Sequence, residues 1–331
     1  MPWLSGLVTV LLAIIALMIV LIAVPKILHA LEGGNPWWAL LATLCVVGSV
    51  GGFCLAFTGA YRGRGNLAGA ACVEAGLTQK GAATFLPGGQ AGAAGAIAVV
   101  LRRTGMTSEE LADRGVALLV LVHAPYFLGI LGVGLVVGTG VVDLSVAPAF
   151  IWSATVVAGL VVLAAVLVAL LVRPAVSGQP DPHGFRERTR QLVRACAGGV
   201  RSAVGLVRIP AAVVGTLIYV SLDCGTLVVA MHIFGQNPPL ISVIMAWLMA
   251  QVVSLIPVPA GIGTVDAGVL GTLVVFGQSA QDMAAPTIAY HALSLAIPAI
   301  AGGIGFLLLR RRLVDDAVGG GDPVLVGSAG G

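Results

Sequence analysis

The chain has 331 residues, of which 58% are hydrophobic and only 9% charged, with a formal net charge of +3 and a mean hydropathy of +1.05. A soluble domain carries about a quarter charged residues, so this composition excludes a water-exposed globular surface and, with it, a soluble enzyme. The apolar residues fall in blocks near or above the roughly 20 that a helix needs to cross a hydrocarbon core of about 30 Å. Lipid offers no partner for backbone N–H and C=O, and the alternation of a membrane barrel is missing, so the blocks are expected to be helices.

In chain order the first block, Leu4 to Val24, lacks a positive n-region and is long enough to span, so it reads as a membrane helix and not as a signal peptide. Complete spans follow at about Pro36 to Ala60, Gly115 to Gly138, Ala147 to Val172, Ile209 to Ile233 and Met283 to Leu309. Two further apolar stretches, Leu67 to Leu101 and Leu240 to Phe276, are interrupted by Pro and Gly. They are too long for one span and short for two. The tail from Val314 to Gly331 is Gly-rich and partly acidic, and is expected to be disordered. The expected fold is therefore all-α: a polytopic membrane domain over residues 1–313 with about six full transmembrane helices and two broken segments.

Arginine placement orients these pieces, because Lys and Arg near span ends collect on the cytoplasmic side. Arg62 and Arg64, Arg102, Arg103 and Arg114, the seven arginines from Arg173 to Arg208, and Arg310 to Arg312 all belong inside. Loops around Asp143, Gln236 to Pro239 and Gln278 to Asp282 carry no Lys or Arg and belong outside. Lys26 alone falls on the wrong side. Each broken segment then returns to the face it left, which makes both re-entrant helical hairpins, with turns at Pro87-Gly88-Gly89 and at Pro257-Val258-Pro259-Ala260-Gly261-Ile262-Gly263. Span, hairpin, span occurs twice in opposite orientation, over about 36–138 and 209–309. Such an inverted repeat with broken helices at the midplane is a recurring transporter architecture. Kinks packed against neighbouring helices are the simpler reading of the same Gly and Pro residues.

Intramembrane charge is costly and marks candidate functional residues. Three acids qualify: Glu74, Asp223 and Asp266. Asp266 follows the second turn, where unwound amides and the start of a half-helix can hold a phosphate; capping that half-helix is the plainer role. Lys80 shares its segment with Glu74, so an ion pair between them, a contact to lipid phosphate, or snorkelling to the interface are all open. His123 and His291 are each the ninth residue of their spans, a rise of about 13 Å, which brings both near the midplane. They either line a central cavity or are packed structural residues. The linker from Phe185 places Arg186, Arg190, Arg194, Arg201 and Arg208 within an arc of about 80° of a helical wheel, a basic face for anionic head groups or simply the positive-inside signal. No metal-ligand spacing, nucleophile motif, P-loop or nucleic-acid motif is present, so neither catalysis nor a cofactor is expected.

The stretch Pro257-Val258-Pro259-Ala260-Gly261-Ile262-Gly263-Thr264-Val265-Asp266, with Phe85-Leu86-Pro87-Gly88-Gly89-Gln90-Ala91-Gly92 upstream, resembles the lysylphosphatidylglycerol synthase transmembrane-region family. The likeness in order and spacing runs from about Trp37 to Leu309. Ala260 stands where the family motif has Gly, and Asp266 where it has Glu, so a carboxylate with shorter reach is kept. The resemblance implies a flippase-type protein of the bacterial plasma membrane, both termini cytoplasmic, without the aminoacyltransferase domain of the larger synthases. It would move an anionic or aminoacylated phospholipid, or a polyprenyl-linked carrier, with Pro87, Gly88, Gly89, Pro257, Pro259, Gly261 and Gly263 shaping the head-group site. The alternative is a non-catalytic scaffold or regulatory subunit of an envelope-lipid synthesis machinery. Expected partners are membrane lipids, with a homo-oligomer or an envelope-synthesis enzyme beside them.

Overall fold

A computed structural model describes residues 35–63, 67, 69–86, 89–142, 146–172, 197–255 and 263–318, with side chains as far as 312. Among the described residues every regular element is helical. The chain runs α1 (Pro36–Tyr61), α2 (Gly69–Ala82), α3 (Gly89–Leu101), a 3₁₀ turn (Arg102–Thr104), α4 (Ser108–Gly138), α5 (Pro148–Leu171), α6 (197–206), α7 (Pro210–Ile233), α8 (Leu240–Val253), α9 (Thr264–Val275) and α10 (Ala280–Val318). Five of these, α1, α4, α5, α7 and α10 as far as Arg312, are long and apolar enough to cross a membrane. The expected span at Leu4 to Val24 lies outside the described residues.

Element ends follow local chemistry. Asn35 caps α1 by accepting the Trp37 N–H at 3.0 Å, and Pro36 occupies the first helical position, where its missing N–H costs nothing. Helix α4 begins seven residues before the expected Gly115. Thr107 caps it, its hydroxyl accepting the Glu110 N–H at 3.2 Å, and Glu109 and Glu110 meet the positive end of the helix. Hydropathy had discounted that polar first turn. Helix α10 likewise outruns its expected end at Leu309: it is helical to Val318, so the tail expected to be disordered from Val314 begins as helix. Residues 319–331 lie outside the described residues.

The two broken stretches each resolve into a pair of short helices, α2 with α3 and α8 with α9, packed against one another. These have 14, 13, 14 and 12 residues. At 1.5 Å per residue they rise about 18–21 Å, short of a core of about 30 Å.

Helix packing relies on glycine at two places. A Cβ on Gly52 of α1 would come 2.5 Å from the Tyr219 N of α7, and one on Gly81 of α2 would come 2.5 Å from the Gly302 Cα of α10. Backbones meet directly there, as small residues allow in membrane helices. Helix α1 thus lies along α7, α2 along α10, and α8 against α4. By contrast α5 is only 11% buried over its most apolar stretch, so it presents nearly its whole circumference outward. An apolar helix so exposed is stable in lipid and not in water.

Candidate functional site

Six helices, α2, α3, α4, α7, α8 and α10, deliver polar side chains to one cavity of about 510 Å³. This is within the usual size range of small-molecule sites. Lys80 stands in the last turn of α2, where the negative end of the helix favours a cation. Its Nζ donates to the Tyr219 hydroxyl at 3.0 Å and lies 4.4 Å from the centroid of the same ring and 5.8 Å from that of Phe53. The ammonium therefore rests on aromatic faces and a hydroxyl. Tyr126 and Tyr219 share a hydrogen bond of 3.3 Å. Whichever hydroxyl donates in that bond, one proton of the pair remains, and Lys80 uses one of its three donors. Three donors are thus left without a hydrogen-bond partner among the described residues.

One helical turn along α7, Asp223 forms a second pole. Its Oδ2 accepts from Trp247 Nε1 at 2.8 Å, Gln251 Nε2 at 3.1 Å and the Tyr290 hydroxyl at 3.2 Å. Its Oδ1 takes no hydrogen bond among the described residues, and Asp223 lines the cavity. Four residues of helix separate Tyr219 from Asp223, a rise of about 6 Å. The cavity accordingly has a donor pole and an acceptor pole about one turn apart.

His123 and His291 line the same cavity. His123 Nδ1 lies 2.7 Å from the Leu119 carbonyl, which can only accept, so Nδ1 carries the proton and Nε2 is left for other work. His291 Nδ1 is 2.7 Å from Asp266 Oδ1. Asp266 sits in the first turn of α9, and its Oδ2 accepts the Gly263 N–H at 3.4 Å. Capping and a polar role are therefore both present in Asp266, which ties the start of α9 to α10. Gly263 has a φ of +81°, a left-handed conformation that a side chain resists.

Other expected residues stand elsewhere. Glu74 does not pair with Lys80. Both its oxygens accept from Arg312 Nε at 2.8 Å, joining α2 to the far end of α10. Six residues apart on one helix, Glu74 and Lys80 point in different directions, whereas α10 lies alongside. Arg201 is not on an outward basic face. Its Nε and Nη2 donate to the carbonyls of Ala169 and Val172 at 2.7 Å, satisfying the unpaired end of α5. Arg208 is exposed. Gly89 lines the cavity at the start of α3. Pro87, Gly88, Pro257, Pro259, Gly261, Arg186, Arg190 and Arg194 lie outside the described residues.

Sequence reasoning did not single out Tyr126, Tyr219, Trp247, Gln251 or Tyr290. A signal was available in Tyr219 with Asp223 and Trp247 with Gln251, each pair four apart and so on one face of an apolar helix.

The family model for the lysylphosphatidylglycerol synthase transmembrane region matches residues 5–302. The chain belongs to that family. The match takes in every residue that lines the cavity, so the polar site lies within the lysylphosphatidylglycerol synthase transmembrane region itself. No curated protein matches the chain. With membrane-length helices and this membership, the protein is an integral membrane protein.

Proposed function

We propose that the protein is a lipid translocator of the bacterial plasma membrane, not an enzyme, and that the cavity holds the substrate's phosphate-bearing head group. The observation that carries this reading is the set of unspent donors around Lys80 and the tyrosine pair, in a protein otherwise built for lipid. A phosphate oxygen takes charge-assisted bonds from exactly such groups, and those bonds strengthen away from water. Asp223 Oδ1, one turn away, supplies a place for an ammonium, which suits an aminoacylated head group; an uncharged or purely anionic head group leaves that pole to water. The acyl chains stay outside, because the cavity is sized for a head group.

Movement across the membrane follows from the proposed architecture. The short paired helices support two re-entrant hairpins, and the helix pairings support an inverted repeat: α1 packs on its counterpart α7, and the contact of α2 with α10 becomes that of α8 with α4 when the two halves are exchanged. Rocking of one half against the other about the cavity would expose the head group first to one face and then to the other. In this arrangement both termini are cytoplasmic and the substrates are membrane lipids, with a second copy or an envelope-synthesis enzyme as the further partner. The test is lipid movement in proteoliposomes. Purified full-length protein should transfer a phospholipid between leaflets, and Lys80→Gln should not. If the scaffold reading is right, neither protein moves lipid above the rate of empty vesicles.

A further inference from the structure

A second groove of about 330 Å³ runs between α3 and α4. On α3 it is lined by Ala91, Ala94, Gly95 and Ala98, spaced by three and four residues and therefore on one helical face. On α4 the facing residues include Ala112 and Gly115. Small residues usually let membrane helices close on each other, yet here they leave room: a Cβ on Gly95 would meet nothing within 4 Å. Gly95 and Ala112 are exposed, so the groove is open sideways.

Its two ends differ. At the inner end Ala91 and Leu119 line both the groove and the polar cavity, so the two spaces adjoin. Gln90 stands at that junction with its Oε1 buried and without a hydrogen-bond partner. At the outer end the lining residues are Arg102 and Ser108, both exposed, while Glu109 and Glu110 of the same helical turn do not line it. From Ala91 to Arg102 the helix rises about 16 Å. A groove that is apolar along its length and cationic at its mouth is complementary to a chain with a phosphate at one end, and its apolar length gives a bare head group no partner.

We propose that this groove is a loading site for a phospholipid of the leaflet on Arg102's side. One acyl chain lies between α3 and α4, and the phosphodiester is held at the mouth by Arg102 and Ser108. Its position beside the cavity makes it the waiting position from which the head group advances toward Lys80. This loading role rests on the translocator reading; the binding of the chain does not.

The experiment uses full-length protein in phospholipid vesicles containing a trace of phospholipid with a photoreactive diazirine at the end of one acyl chain, with labelled peptides mapped by mass spectrometry. Label should concentrate on residues 91–98 and 111–119 above the level on the lipid-facing α5. Gly95→Phe, which fills open space, should remove most of it, and Ala98→Phe provides the same block should the first variant fail to fold. Arg102→Gln should reduce labelling by the phospholipid while leaving labelling by a diacylglycerol with the same photoreactive chain unchanged. Label on α3 and α4 no higher than on α5, or unaffected by either phenylalanine, overturns the site. Groove label in a protein that moves no lipid retains the site and removes the translocator reading. Undiminished lipid movement by a folded Gly95→Phe that has lost its label overturns the loading role.

Discussion

Replacing Asp223 separates what holds the cavity together from what the cavity does. Its Oδ2 gathers donors from α8 and α10 onto α7. Hydrogen bonds inside membrane proteins contribute about 0.6 kcal/mol on average and at most about 1.7, so three amount to about 2 kcal/mol. In Asp223→Ala, Gln251 and Tyr290 keep their mutual contact at 3.4 Å, but Trp247, 2% exposed, is left with a buried N–H and no acceptor. A stranded donor adds about 1–3 kcal/mol. The expected loss is therefore about 3–5 kcal/mol, read as a marked drop in unfolding temperature in detergent. Asp223→Asn keeps a carbonyl oxygen able to accept two of the three bonds and should lose about 1 kcal/mol. Both variants lack the charge that faces the cavity, so movement of an aminoacylated lipid should fail in both while only the alanine variant is unstable. Equal stability of wild type and Asp223→Ala would refute the threefold hydrogen bonding. A stable Asp223→Asn that moves aminoacylated lipid at the wild-type rate would refute the acceptor pole.

Further outcomes follow from the same geometry. Asp266→Asn retains most of the capping of α9 and should lose about 1 kcal/mol or less, yet abolish lipid movement because the charge facing His291 is gone; full movement would leave Asp266 as a cap alone. Glu74→Gln and Arg312→Gln should each destabilise by separating α2 from α10, and the exchanged pair Glu74→Arg with Arg312→Glu should recover part of the loss in a thermal melt. Recovery no better than the sum of the single changes would count against a direct pair. Gly302→Val sets a branched side chain against the Gly81 backbone and should prevent folding of the α2–α10 contact, seen as loss of monodisperse protein on gel filtration. Cysteines introduced beside Arg62 and Arg102 should label from one face and cysteines beside Gln236 and Gln278 from the other; labelling of the two ends of either broken segment from opposite faces would rule out a hairpin there.

The helices and the places where they break were legible because lipid imposes a single requirement, that every backbone group be satisfied locally, and hydropathy records it. Lys80, Asp223 and the two histidines stood out for a related reason: polar side chains are costly in a chain built for lipid, and the four helices carrying them converge on one cavity. Partners were not legible. Glu74 meets Arg312 across 238 positions of sequence, a contact decided by the packing of glycines on α2 and α10 and invisible to spacing along one helix. Arg201 looked like part of a basic stripe because a helical wheel shows direction about one axis and not which helix end lies opposite. The tyrosines and Trp247 were passed over since aromatic residues are ordinary packing in an apolar helix until their hydroxyl or N–H finds a buried partner.

In the proposed mechanism the head group passes through the cavity between Lys80 and Asp223. Ser254 lines that cavity and is exposed, so Ser254→Cys puts an accessible thiol there with little change in volume. In proteoliposomes this variant should transfer phospholipid between leaflets, and a bulky charged thiol reagent should stop it while leaving wild type, with its five native cysteines, running. Unchanged movement after complete modification of the introduced thiol would mean that the head group does not pass through the cavity.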